Sequence, residues 1–445
     1  MTSNAASLKL FSQKQASCES LNGGGIFCIM ANLFVFVLPA LANVIEHAAS
    51  TILALLAFMG CWAFFTRREK IEFSLPEKSV MVAFAAYFIV CVLSIPIHSI
   101  ALDAYQPDWA LGHEFRMLLF LPVYFLFLHA KLKPGAFWYG ICFGAIVNGI
   151  YACLVIYLLE KGGRATGAYN PIVFGDASMV LSFMSLASLR FFEKKHQLLI
   201  FIPIAAASLG LVAVFLSGTR GAILAGPLLL LVFLFQLGGR SGKWRLKTLL
   251  LAVLAVLVAG GYIGTGTALN KSMRSGMETL AECLKEGEVN IESSVDRSTA
   301  IRLKMWAEST KIIQAHPWVG TGDEGFERIL KKKAETDPSL SPLAAHNTPH
   351  NMYLANQVAY GIFGLLMLLG IFLAPLMTLI RNVRHNDACR DAGYAGIMLI
   401  MGYMQFALTE SVFQRTVPIT VYLVLTAAAM AFCRLYKDEA SLICD

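Results

Sequence analysis

Apolar runs long enough to cross a bilayer recur along almost the whole chain, and they limit what it can fold into. A bilayer core needs about 20 consecutive apolar residues in a helix, and the backbone inside it must satisfy its own hydrogen bonds. Windows of about 19 residues place spans at roughly 25–43, 47–66, 79–97, 114–130, 136–158, 171–192, 197–217, 221–237, 247–265, 358–380, 392–410 and 417–435. The expected architecture is an all-α polytopic membrane protein of about twelve transmembrane helices. Composition points the same way. The 445 residues are 57% hydrophobic and 15% charged, against about 25% charged in soluble domains. Soluble folds, disordered regulators and secreted disulfide scaffolds are excluded. The ten cysteines form no CxxC, and Cys283 stands alone in the one long polar segment, so no redox or metal role follows from them.

The segment boundaries follow from the spans. Residues 1–24 form a polar N-terminus, 25–265 hold spans 1–9, and 266–349 form a long polar loop. Residues 350–435 hold spans 10–12, and 436–445 form a short C-terminus. One set of loops, including both termini, carries about 20 of the 36 Lys and Arg residues, among them Arg67, Arg68, Lys70, Arg240, Lys243, Arg245, Arg381 and Arg384. The positive-inside rule therefore places both termini in the cytoplasm and the long loop outside, in the periplasm of a Gram-negative cell. Ala40-Leu41-Ala42 resembles a cleavage site, but further spans follow at once, which favours an uncleaved first span. No internal repeat of the transporter type is evident.

The net charge of +7 matters less than where its cations fall. Arg116, Arg164, Arg220 and Arg415 sit outside, against the insertion bias. Each has a plain reading as a side chain that snorkels or pairs locally with Glu114 or Glu410. Together they suggest a site for an anion, because the planar guanidinium donates two hydrogen bonds to a phosphate. Arg220 lies in the tight turn Ser217-Gly-Thr-Arg-Gly221, whose glycines let backbone amides approach an oxyanion. Within the long loop, two amphipathic helices are expected, over 299–314 and 323–333, the second capped by Asp323. Arg302 lies on the first, within reach of a membrane-side site or simply exposed. The run Lys331-Lys332-Lys333 reads as a solvated face.

Where the long loop re-enters the membrane stands Pro349-His350-Asn351-Met352-Tyr353, followed by Gly361 and Gly364. A histidine at this boundary can accept a proton at neutral pH, or can serve as an interfacial cap. Zinc held by His346 and His350 is disfavoured, because Pro349 breaks the helix that would align them and no Glu follows His346.

The pattern His350-Asn351, nine residues, then Gly361-Ile362-Phe363-Gly364 resembles the signature of the O-antigen ligase family. Arg302-x3-Trp306-Ala307, His316-Pro317, Gly320-Thr-Gly322 and Ser217-Gly-Thr-Arg220-Gly resemble the wider ligase and polymerase superfamily. The first 110 residues carry none of the resemblance. It implies a GT-C type membrane glycosyltransferase with a large, partly helical periplasmic loop. Such an enzyme moves O-antigen from undecaprenyl diphosphate to a sugar hydroxyl of lipid A–core at the periplasmic face of the bacterial inner membrane. The resemblance also implies an inverting reaction with neither metal nor nucleotide cofactor. His350 is then the base, and Arg220 and Arg302 bind the diphosphate, with Arg164 and Arg116 as weaker partners. Asn351 and Tyr353 support the site, as do Gly361 and Gly364. An O-antigen polymerase or protein O-oligosaccharyltransferase shares the arginine motifs. A transporter of anionic lipid or sugar would use the same outward cations.

Overall fold

The computed structural model describes residues 24–66, 71–101, 112–159, 163–238, 267–287 and 290–437. The expected span 247–265 lies outside them, as do most of residues 1–24 and 436–445 and the basic residues Arg67, Arg68, Lys70, Arg240, Lys243 and Arg245. No strand occurs among the described residues. Among the described residues, ten α-helices precede the long loop: α1 (Gly24–Val44), α2 (Ala48–Thr66), α3 (Leu75–Ala101), α4 (Gly112–Leu118), α5 (Phe120–His129), α6 (Pro134–Leu154), α7 (Pro171–Ala187), α8 (Leu189–Lys195), α9 (Phe201–Ser217) and α10 (Arg220–Gly238). Within and after it come α11 (Thr267–Glu286), α12 (Arg297–Ala315), α13 (Gly325–Thr336), the single turn α14 (Ser341–Ala344), α15 (Met352–Asn382), α16 (Asp387–Phe406) and α17 (Thr416–Lys437).

Eight of the described helices are long and apolar enough to cross a membrane, and up to 9 if the bent pair α7 and α8 forms one span. The fold is that of a polytopic helical membrane protein. Two expected spans take a more complicated course than a single straight helix. The stretch 114–130 is divided into α4 and α5 at Leu119, three residues before Pro122, which has no N–H to make the helical bond to the Leu118 carbonyl. The stretch 171–192 bends by 44° at Ser188. There Ser182, Ser185 and Ser188 turn their hydroxyls back onto carbonyls three or four residues earlier, which bends helices.

α17 is the axis of the bundle, with 94% of its apolar window buried against 28–61% for the other spans. A helix apolar all round belongs inside, where every face finds a partner. It packs on α16, α5, α2 and α1, and its Tyr422 donates to the Ile371 carbonyl of α15 at 2.7 Å. Small residues permit the tight crossings that lipid-embedded helices need. A Cβ on Gly140 of α6 would fall 2.7 Å from Phe36 Cα of α1.

The long loop has its own small core. Ala300, Met305 and Ile312 of α12 pack with Phe326 and Leu330 of α13 and with Leu340, Leu343 and Val358. Both expected loop helices are present with shifted bounds. Asp296 caps α12, accepting from the Ser298 and Thr299 amides at 3.1 and 3.4 Å. Glu324, not Asp323, occupies the N-cap of α13 and makes no side-chain cap bond. α11 is a third helix of the long loop, beyond the two expected.

Candidate active site

The site begins at the turn between α9 and α10. α9 ends at Ser217, and Gly218 takes a left-handed conformation (φ 62°) that reverses the chain. The orphaned carbonyls at that end find a cation. Arg164 donates from Nε to Ser217 O at 2.7 Å and from Nη2 to Gly218 O at 3.3 Å. A guanidinium is well placed at a helix C-terminus, where the dipole is negative. Thr219 Oγ1 donates to Pro171 O at 2.7 Å and ties the turn to the start of α7.

Arg220, the first residue of α10, then points into the long loop. Its Nη1 donates to Ser272 O of α11 at 3.0 Å and forms a short ion pair with Asp296 Oδ2. Burial alone raises the Asp296 carboxyl. The Arg220 guanidinium and the Thr299 hydroxyl outweigh it, and the group is held below the usual carboxylate range.

Arg302 lies nearly two turns along α12 from that cap. It faces the charges of Glu410, Arg220, Asp296 and Asp176. Among the described residues it forms neither a hydrogen bond nor an ion pair. Burial, with Arg220 as a like charge, lowers its pKa from the ordinary arginine value. Asp176, on α7, is buried and leaves Oδ1 without a partner.

His350 completes the group. It has φ 50°, a backbone conformation that is strained for a side-chain-bearing residue. The segment is held on both sides. Trp306 Nε1 of α12 donates to Pro349 O at 2.9 Å, and Met352 N donates to Ala407 O at 2.7 Å. Asn351 caps α15 by accepting from Leu354 N at 3.1 Å and donates to Leu408 O at 3.1 Å. The contacts to Ala407 and Leu408 draw in the loop after α16, and with it Glu410. Glu410 Oε1 lies 3.0 Å from His350 Nδ1, and His350 Nε2 lies 3.4 Å from His346 Nδ1.

Burial raises the Glu410 carboxyl, but the His350 hydrogen bond and the nearby Arg415 and Arg302 bring it below the usual range. An ionised carboxylate only accepts, so Nδ1 carries a hydrogen toward Glu410, and in the neutral imidazole Nε2 then keeps its lone pair; this tautomer follows from the bonding partner. Burial and the charges of His350 and Arg302 lower His346, which favours its neutral form.

The two glycines of the histidine motif act on packing. Gly361 (φ 64°) interrupts α15 and opens its hydrogen-bond ladder. The segment 317–322 fills the opening. Thr321 N donates to Val358 O at 2.8 Å, Gly322 N to Ala359 O at 2.9 Å, and Ile362 N to Pro317 O at 2.9 Å. A Cβ on Gly320 would fall 2.5 Å from the Ala359 carbonyl carbon, so the two backbones meet directly. The Gly364 side of the break packs on Tyr360 and Asn356. These glycines thus lock the long loop onto the helix that begins at His350.

The structure gathers His350, Arg220, Arg302 and Arg164 at one place. Arg116 stands apart, bonded to Gly112 O at 2.7 Å and His113 Nδ1 at 2.9 Å at the start of its own helix. The Asn351 side chain bonds Leu354 N and Leu408 O rather than the His350 ring, and Tyr353 donates to Met404 O of α16 at 2.8 Å. Glu410 was missed as the histidine's partner. His346 and His350 do meet, because the Thr348–Pro349 turn folds them together without a helix. No three His, Cys, Asp or Glu side chains converge as metal ligands among the described residues.

Fold and site together define a polytopic membrane protein with a histidine–carboxylate pair among arginines. Residues 205–369 match the family described as O-antigen ligase, which supports assigning the chain to that family. That stretch includes Arg220, Arg302, His350, Gly361 and Gly364. The family's membrane enzymes are glycosyltransferase-like ligases, which supports a function of the ligase or polymerase type here. A Haemophilus influenzae protein, described as uncharacterized, is 26% identical over 363 residues, covering 80% of this chain and 86% of its own length.

Proposed function

We propose that this chain transfers O-antigen polysaccharide from undecaprenyl diphosphate to a sugar hydroxyl of lipid A–core, at the periplasmic face of the inner membrane. The observation that carries the reading is the His350–Glu410 pair beside Arg302, a half-buried guanidinium without an ion pair among the described residues.

The chemistry follows from these groups. His350 Nε2 takes the proton of the acceptor hydroxyl, and Glu410 steadies the imidazolium through Nδ1. The acceptor oxygen attacks the anomeric carbon. The bond from that carbon to the diphosphate oxygen breaks, and its electron pair stays on phosphate. One displacement inverts the anomeric centre. Arg302 and Arg220 hold the developing negative charge, a task that guanidinium groups can perform in place of a divalent metal. Arg164 holds the turn that aims Arg220, and Asn351 fixes the loop that delivers Glu410. Both are positioning residues, and Arg116 is assigned no contact with substrate. Both termini are cytoplasmic in this reading, the lipid tail lies against the spans, and residues 266–349 cover the site from the periplasm.

The test is reconstitution of the full-length protein with lipid-linked O-antigen and lipid A–core, with and without a chelator. The expected product is glycan on lipid A–core, formed equally in chelator. Longer lipid-linked chains would mean a polymerase. Glycan flux across vesicles without transfer would mean a transporter, and either result overturns the ligase reading.

A further inference from the structure

We propose that Asp296 is an internal counter-anion. It occupies Arg220 between turnovers and competes the diphosphate leaving group off that guanidinium. The proposal rests on the donor reading above.

The geometry divides the work of the Asp296 carboxylate between its two oxygens. Oδ1 accepts the Ser298 and Thr299 amides at 3.1 and 3.4 Å and caps α12. Oδ2 takes the Thr299 hydroxyl at 2.9 Å and the Arg220 ion pair. Arg220 can therefore exchange Oδ2 for another anion while the cap on α12 stays in place. Both partners are shielded, with side chains 24% and 12% exposed, so water screens the competition little. Gly276 lets the α11 backbone approach the pair closely, because a Cβ there would fall 2.7 Å from Arg220 Nη1 and 3.3 Å from Asp296 Oδ2. Arg220 also keeps its bond to Ser272 O, which holds the guanidinium in place when the carboxylate leaves.

The reaction creates a need for such a competitor. In the donor, the phosphate nearest the sugar is esterified. When the glycosyl bond breaks, that phosphate gains an ionisable oxygen, and its charge rises toward the value of a terminal phosphate. Arginines grip the more charged group harder, so a purely cationic site binds its product better than its donor. A carboxylate tethered beside the same guanidinium acts at high effective concentration and returns the balance toward release.

Asp296→Asn keeps a capping oxygen of the same size and removes the charge. Asp296→Ser, another good cap, controls for shape. The measurement is equilibrium binding of undecaprenyl diphosphate to the full-length protein in nanodiscs, together with its inhibition of transfer. Both variants are expected to bind it about tenfold more tightly, the size of one charge-assisted hydrogen bond freed for the ligand. Their turnover should fall as release slows, while α12 keeps its hydrogen-exchange protection. Unchanged or weaker binding in both variants overturns the proposal. If the wild type binds and Arg220→Lys weakens it while Asp296→Asn does nothing, the counter-anion idea alone fails. If the wild type itself does not bind above empty nanodiscs, the donor reading fails and takes this proposal with it.

Discussion

At the C-terminal end of α17, Arg434 is fully engaged. Its Nη1 reaches both oxygens of Glu77 at 2.7 and 2.9 Å, and its Nη2 donates to Glu72 O at 2.6 Å. Ser74 and Tyr124 take up the remaining valences of that carboxylate. At the opposite end, beyond Thr416, Arg302 has no ion pair among the described residues, and Glu410 Oε2 and Asp176 Oδ1 lack partners. The two ends use the same residue types for different purposes. A buried ion pair is stable when its geometry is complete, whereas a buried charge with open valences costs stability. A protein keeps such a site when a ligand closes it. The closed end ties α17 to α3 and α5, and the open end is where substrate chemistry belongs.

This contrast can be broken by mutation. The largest effect is expected at the base: His350→Ala should lower transfer by about 10²–10⁴-fold, the usual worth of a general base. Its insertion should be unchanged, and transfer is read per folded molecule of the purified protein. Arg302→Met comes next. It should abolish donor binding yet raise the thermal midpoint, because it removes an unpaired half-buried cation. A fall in stability instead would mean that Arg302 is already satisfied. At the closed end, Arg434→Ala should cost about 3 kcal/mol by stranding Glu77. Transfer per folded molecule should stay at the wild-type level, read by denaturation and by specific activity.

The smallest effect is one of pH. Asp296 has a lowered pKa in the folded protein, so the native state binds fewer protons than the unfolded chain. The Arg220 pin therefore contributes stability above about pH 4, near the unfolded carboxyl value, and loses it as pH falls through the folded value. The thermal midpoint should fall on acidification in the wild type and fall less in Asp296→Asn.

Much of this was legible in the sequence because it rests on local patterns. Apolar runs marked the spans, and His350 with Gly361 and Gly364 marked the re-entry point. The arginine turn stood out because its cations contradict the insertion bias. What escaped depends on the path of the chain. Glu410 reaches His350 across 60 positions through a loop fixed by Met352, Asn351 and their backbone partners, and no spacing rule reports that. Asp323 looked like a helix cap. The docking of 317–322 into the break at Gly361 draws it inward instead, and burial followed by the charge of Glu324 pushes its carboxyl up to about 6. α11 did carry a readable signal, with Leu269, Met273, Met277, Leu280 and Leu284 at helical spacing. The tight turn of Arg220 read as an anion clamp, and its pairing with Asp296 required the loop to be in place.

The most direct measurement separates binding from transfer at the open end. Purified His350→Ala in nanodiscs is given lipid-diphosphate-linked glycan and lipid A–core, and bound donor and product are followed in the same sample. The account predicts donor affinity equal to wild type with product formation reduced at least about a hundredfold. Product formed at the wild-type rate by a normally inserted His350→Ala protein would contradict it.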